Sequence, residues 1–406
     1  LKALGDKLAD RMDPAFTLDR TNAGPGVDLP HVAVVAADAE GRIVRYFENR
    51  ETASYFGSPV ARNSETGFYE RAREPRMIAS TGKMIAAIAI ANEGRDSAST
   101  LYVDTTAPAR GLETCRRNGN LRRGRKAVVA FACSLNVPIA NRTAKIGQPR
   151  IKALIDQFGF NMPPTNANGE GTPPSTAAVL GLISGSPRRV HQMSSVVLNA
   201  LINRSRTTVR PPTLIKSYDY THLQDSKGQS VDELSSAIVP AKVIRERAKP
   251  LVKALLQAPL CYRSNKTSHG TLKSLSKWCA ARRSDVRLHF AKTGTQVTLD
   301  PDATVDVWAS GGIQFRNGAA YSYVVVVGTG SASKPWARRV HAAQAAAPLL
   351  AELLPELAAH AKANPRSDLL PRPKRKRRTT GTPQRGKPSG WRPLSQQERD
   401  SVLGLN

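Results

Sequence analysis

The sequence predicts an α+β domain, residues 28–360, in which both ends of the chain supply strands to one sheet. Three observations carry this reading. Near the start, His31–Ala37 is rich in valine, and after the turn Glu40-Gly41-Arg42 the segment Ile43–Phe47 alternates enough to pair back as a hairpin. The middle, from Met77 to Ala258, is dominated by apolar runs at helical spacing. Towards the end, Val286–Phe290, Thr304–Ser310 and Tyr321–Val327 are rich in Val, Trp and Tyr, as antiparallel strands are. Strands, helices and strands again are accommodated most economically by one sheet flanked by helices.

Taken in order, residues 1–27 end in the turn-rich Asn22-Ala-Gly-Pro-Gly26 and read as a linker from a missing upstream region: the chain opens at Leu1, and the opening segment lacks a signal peptide's apolar centre. After the hairpin, Met77–Gly94 predicts a buried helix, because its alanine-rich body is apolar on every side and Gly94 is a C-terminal stop. Arg110–Lys126 is strongly basic and reads as a solvated loop. Lys126–Ile139 is an apolar element whose continuation Pro138 limits. Ile151–Phe158 is helical and stops at Gly159, Asn161–Ser175 with its four prolines is a loop, and Thr176–Ile183, Val190–Ile202 and Leu251–Ala258 read as helices. Beyond the last strands, Arg338–His360 closes as one helix or a kinked pair, given Pro348 and Pro355. Residues 361–406, with Pro-Arg-Pro-Lys-Arg-Lys-Arg-Arg, bury too little to fold alone and read as a basic disordered tail.

Composition narrows the function. At 406 residues and 40% apolar the chain can build a sizeable core, and no apolar run reaches the roughly 18 residues of a membrane span. The net charge of +28 raises nucleic acid as a partner, but zinc-finger spacing and aromatic-basic interleaving are both missing, so none is expected. From Pro365 to Asn406 the chain holds 11 Lys and Arg against 3 Asp and Glu; the rest of the charge is spread over the body, which suits solubility or attraction to anionic envelope polymers. Cys115, Cys133, Cys261 and Cys279 form no Cys-x-x-Cys unit, which argues against a metal. Two local disulfides, Cys115–Cys133 and Cys261–Cys279, are the simplest of three connectivities and would require an oxidising compartment; four buried thiols are the alternative.

Ser80 and Lys83 head the buried helix, one turn apart on one face, so the amine can reach the hydroxyl. A serine needs a base to become a nucleophile, and a lysine desolvated on an apolar helix can be that base. Ser-x-x-Lys alone is weak: Ser274 with Lys277 and Ser331 with Lys334 also match, without such a helix. The chain has one Ser-x-Asn, Ser134 to Asn136, and one Lys-Thr-Gly, Lys292-Thr293-Gly294, followed by Thr295. All three motifs stand in the order Ser-x-x-Lys, Ser-x-Asn, Lys-Thr-Gly, a joint match far more specific than any member.

With these motifs, and with Ser186-Pro187, Pro211-Pro212-Thr213 and Asp306-Val307-Trp308 around them, residues 28–354 resemble the transpeptidase domain of class A (bifunctional) penicillin-binding proteins, in the serine β-lactamase and penicillin-binding superfamily. The resemblance implies an antiparallel sheet flanked by helices with an all-α subdomain, and an extracytoplasmic or periplasmic chain anchored to the membrane only through a missing upstream segment. It implies that Ser80 attacks the D-Ala-D-Ala carbonyl of a peptidoglycan stem peptide or a β-lactam while Lys83 takes its proton. Lys292 would keep Lys83 neutral and attract an anionic substrate. Ser134 would relay the proton, Asn136 would hold the peptide amide, and Thr293, Gly294 and Thr295 would receive the terminal carboxylate, with the N–H groups of Ser80 and Thr295 as an oxyanion hole. No cofactor is called for.

The chain departs from the family where the usual Gly-Ser-Ser/Thr-Phe-Lys-Pro is Ala79-Ser80-Thr81-Gly82-Lys83-Met84, where Arg188-Arg189 replaces Leu-Glu, and in showing no glycosyltransferase half. Three other readings stay open. A β-lactamase would need a deacylating element, and no Glu-x-x-x-Asn loop lies between Ser134 and Lys292. A β-lactam sensor or wall-binding scaffold need not keep Ser80, Lys83 and Lys292 intact. A carboxypeptidase would use water as the acceptor.

Overall fold

The computed structural model describes residues 30–48, 55, 61–62, 69–70, 76–103, 125–160, 178–213, 237–264, 267–297, 303–329, 336–338 and 340–370. Five long strands, β1 (His31–Asp38), β2 (Ile43–Glu48), β3 (Val286–Val297), β4 (Ala303–Phe315) and β5 (Ala320–Gly328), form one antiparallel sheet in the order β3-β4-β5-β1-β2, with Ala337–Arg338 added to the end of β4. Among the described residues the first strand therefore lies inside the sheet, paired on one side with the last long strand. Position explains its composition: Val32, Val34 and Ala36 pack on one face, Ala33 and Val35 on the other, so β1 is apolar throughout.

Seven helices are used below: α1 (Lys83–Glu93), α2 (Ala127–Ala132), α3 (Asn136–Ala144), α4 (Gln148–Phe158), α5 (Pro187–Leu201), α6 (Lys249–Cys261) and α7 (Ala346–Ala363). On one face of the sheet, α7 sets Leu349, Leu350, Leu353, Leu354 and Leu357 against Val325 and Val327. On the other face, α5 sets Val190, Met193, Val196 and Val197 against Val324 and Val326, and α1, α2, α4 and α6 share that core. Every residue of α1 from Lys83 to Ala91 is buried, so the all-round apolar sequence has its explanation. Full burial of Ile85, Ile88 and Ile90 stabilises by about 1.5–3 kcal/mol each. Gly94 and Gly159 end α1 and α4 in left-handed conformations, φ 73° and 69°.

Four expectations need correction. Pro138 does not limit an element; it sits in the first turn of α3, where its missing N–H has no helical acceptor to lose. Of Thr176–Ile183, residues 178–180 are helical as expected, but the helix stops there: Gly181 takes φ 89° and Ser184–Gly185 pairs with Arg76–Met77. The closing helix begins at Ala346 rather than Arg338, and Pro355 stays within it without dividing it. Residues 365–370, read as tail, are packed: Leu369 is buried, its carbonyl accepts from Gln314 Nε2, and Arg366 forks onto Glu40. The basic loop from 110 and the Asn161–Ser175 loop lie mostly or wholly outside the described residues. Cys261 and Cys279 form the expected disulfide; Cys133 is also disulfide-bonded, while Cys115 lies outside the described residues.

Candidate active site

Ser80 rides on a 3-10 turn, Ala79–Gly82, that leads into α1. The turn is fastened from three directions. Ile78 N–H donates to the Ile183 carbonyl at 3.1 Å, extending the Arg76–Met77 pairing with Ser184–Gly185. Arg76 donates to Asp306 Oδ1 at 2.9 Å, an ion pair buried between the turn's entry and β4. The third fastening is close backbone approach: a Cβ on Gly181 would lie 1.5 Å from the Ala79 carbonyl oxygen, and one on Gly294 would lie 2.9 Å from the Ile78 carbonyl oxygen. Glycine in the Lys-Thr-Gly motif thus lets β3 lie directly against the turn that carries Ser80.

The second contribution comes from the α2–α3 junction. Ser134 has φ 54°, its N–H donates to Phe131 O at 3.2 Å, and Leu135 N–H donates to Ala130 O at 2.9 Å. These two bonds are those of a Schellman motif ending α2, with serine in the left-handed position glycine usually fills. The turn presents Ser134 Oγ to both lysines. Lys83 Nζ lies 2.9 Å from Ser80 Oγ, 3.0 Å from Ser134 Oγ and 2.7 Å from the Ser134 carbonyl oxygen, and it also donates to Asn136 Oδ1. Lys292 Nζ donates to Ser134 Oγ at 2.8 Å and to the Thr293 carbonyl at 2.8 Å.

Both lysine side chains are fully buried. Burial pushes Lys83 down to about 7, from an ordinary 10.5. Lys292 is held well below its ordinary value, first by burial and then by the Lys83 charge. Desolvation on the apolar helix, as the sequence leads one to expect, is therefore the main reason Lys83 is poised to be neutral; the Lys292 charge is not among the causes that lower it. The repulsion across Ser134 Oγ is nonetheless mutual, so whichever lysine holds a proton lowers the other.

Of the predicted residues, Ser80, Lys83, Ser134, Asn136 and Lys292 converge in one hydrogen-bonded cluster. Thr293, Gly294 and Thr295 follow Lys292 along β3. Thr295 Oγ1 accepts from Ala342 N–H at 3.2 Å, which leaves its own proton free to be donated. Ser274 and Lys277 are exposed on a 3-10 turn, unlike the buried lysines of the cluster, and Ser331 and Lys334 lie outside the described residues. The sequence reading missed Arg76 and Thr271, whose hydroxyl accepts from Thr293 Oγ1 at 2.9 Å. Their partners are remote along the chain, so no local pattern marks them. Asp306 and Trp308, read as strand packing, are buried in β4. Among the described residues no group of three His, Cys, Asp or Glu side chains is placed to hold a metal ion.

The fold, an antiparallel sheet flanked by helices, is that of penicillin-binding transpeptidase domains. Among solved structures the chain is similar to penicillin-binding protein 3 of Mycobacterium tuberculosis complexed with aztreonam (TM-score 0.54, 15% identity, covering 89% of this chain and 78% of that one). It is similar also to the ampicillin complex of that protein (TM-score 0.54, 16% identity, 92% and 78%) and to PonA1 of the same organism in complex with penicillin V (TM-score 0.51, 16% identity, 91% and 85%). No protein-family profile and no curated protein matches the sequence.

Proposed function

We propose that this chain is an extracytoplasmic serine D,D-transpeptidase, of the class A penicillin-binding type, that acylates itself on D-Ala-D-Ala stem peptides of peptidoglycan and on β-lactams. The observation that carries the reading is the fully buried Lys83 amine, lowered to about 7, 2.9 Å from Ser80 Oγ. Neutral Lys83 takes the Ser80 proton as Oγ bonds to the carbonyl carbon. The oxyanion is received by the N–H groups of Ser80 and Thr295, the term usually worth most in acyl transfer. As the C–N bond breaks, the proton passes from Lys83 through Ser134 Oγ to the departing D-Ala amine, along the 3.0 Å contact between them. An acceptor amine then attacks the ester, returning its proton by the same route.

Lys292, charged when a carboxylate neutralises its surroundings, draws the anionic substrate towards Thr293 and Thr295. With Oδ1 held by Lys83, Asn136 is left its amide N–H groups to donate to a peptide carbonyl. The disulfides at Cys133 and between Cys261 and Cys279 support an oxidising compartment, and the spread of positive charge, the basic tail included, suits anionic envelope polymers.

Incubation with a labelled penicillin followed by intact-mass measurement tests the reading. One covalent adduct is expected on the wild type and none on Ser80→Ala. Absence of the adduct, or its persistence in Ser80→Ala, sinks the assignment; an adduct that vanishes within seconds as hydrolysed penicillin accumulates points to a β-lactamase.

A further inference from the structure

Thr271 belongs to none of the three motifs, yet it bridges two of them. Its N–H donates to the Ala132 carbonyl at 3.0 Å, two residues before Ser134, and its Oγ1 accepts from Thr293 Oγ1 at 2.9 Å. The loop that delivers it is held tightly. Gly270 has φ 126° and leaves no room for a Cβ, which would lie 2.4 Å from the Pro259 carbonyl oxygen. Leu272 N–H donates to that same carbonyl at 3.0 Å, the Leu272 side chain is fully buried, and the Cys261–Cys279 disulfide closes the loop at its two ends.

We infer that Thr271 is a positioning residue for Thr293, setting the direction of its hydroxyl and so tuning recognition of a substrate carboxylate. The inference rests on the function proposed above. A carboxylate only accepts hydrogen bonds, so Thr293 must donate to it. In the unliganded arrangement that proton is committed to Thr271. When the carboxylate arrives, Thr293 turns its O–H outward, and its oxygen needs a donor behind it. Thr271 supplies one by rotating its own O–H, and the chain Thr271 to Thr293 to carboxylate polarises along its length. No covalent bond changes; two hydroxyl rotors reverse together. Valine at 271 has nearly the same shape and can neither accept nor donate.

The test is rapid-mixing acylation of Thr271→Val and Thr271→Ser, disulfides intact, by a penicillin with a free carboxylate and by its methyl ester, separating the half-saturating concentration from the limiting rate. Loss of the hydroxyl that backs Thr293, one neutral hydrogen bond, predicts an up to about tenfold higher half-saturating concentration for Thr271→Val with the acid, a limiting rate within about twofold, little change with the ester, and recovery in Thr271→Ser. Thr271→Ala, which lacks the hydroxyl but demands less space, carries the same expectation where the valine variant folds poorly. Unchanged acid kinetics, equal losses for acid and ester, or no recovery with serine overturns the role of Thr271 alone. A wild type that takes up no penicillin removes the proposed function, and this inference with it.

Discussion

Ser134 keeps a left-handed backbone, φ 54°, that an L-residue adopts at a cost of roughly 1–2 kcal/mol, and Ala79, beside the nucleophile, does the same at φ 46°. Ser134 is held in it by the two bonds of its turn, and Ala79 by the close approach of Gly181. The strain also makes a test. Ser134→Gly should unfold at higher denaturant than Ser134→Ala, by about 1 kcal/mol, since only glycine is relaxed there, while both lose the hydroxyl and acylate slowly. Equal stabilities would mean that the turn relaxes elsewhere. The pattern that the motifs resemble has glycine where Ala79 stands, so this difference bears on strain at φ 46°. Lys83 gives a second prediction at this scale. It must be neutral to accept the Ser80 proton, so acylation should rise with pH through about 7. The sign for stability is the same. Between about 7 and 10.5 the unfolded chain binds the proton that folded Lys83 releases, so stability rises with pH across that window. Lys292, lowered in the same direction, adds to that slope, and Lys83→Met should flatten part of it in denaturant titrations.

Among the elements, the 3-10 turn Ala79–Gly82 is the piece on which geometry depends most, wedged between the Gly181 backbone and β3. A methyl at Gly294 would press on the Ile78 carbonyl oxygen at 2.9 Å and the Thr81 nitrogen at 3.2 Å. Gly294→Ala should therefore keep the sheet but displace Ser80 from the lysines, lowering the acylation rate by roughly 10–100-fold with only a few °C lost in thermal melting. A large loss of stability with normal acylation by the folded fraction would contradict this view of the turn. The same elements show what a sequence can and cannot disclose. The valine run of β1, the apolar body of α1 and the stops at Gly94 and Gly159 were legible because burial and helix termination are local properties. The Lys-Thr-Gly strand was legible through alternation leading into it. Thr176–Ile183 was legible only in part: 178–180 are helical, but the stop at Gly181 answers to its close approach to Ala79, a hundred residues earlier. Arg76 and Thr271 were likewise hidden, since their meaning lies in Asp306 and Thr293, partners on strands far along the chain.

Across the whole molecule, the sheet closes because its N-terminal strand enters between β5 and β2, and the C-terminal residues then fasten the hairpin that strand makes. Glu40, in the β1–β2 turn, is held below the usual carboxylate range because hydrogen bonding to Arg366 and the charges of Arg204, Arg366 and Arg42 outweigh its burial. Arg366 reaches it with two bonds of 2.8 Å, its own N–H donates to Asn317 O at 2.9 Å, and Leu369 fills the α5 side of the sheet. Gly318, at φ 90°, makes room for the Arg366 carbonyl, which a Cβ would approach to 1.8 Å. The domain boundary expected at 360 falls inside α7, and the packed unit runs on to Leu370. Two truncations separate these alternatives. A chain ended at residue 364 should melt several °C below one ended at 370, because burial of Leu369 is worth about 2 kcal/mol and the half-exposed Glu40–Arg366 pair at most about 1. Most of the difference should survive at 1 M salt, where the ion pair is screened and the leucine is not. Equal melting points would place the end of the domain at α7; a difference abolished by salt would assign the fastening to charge alone.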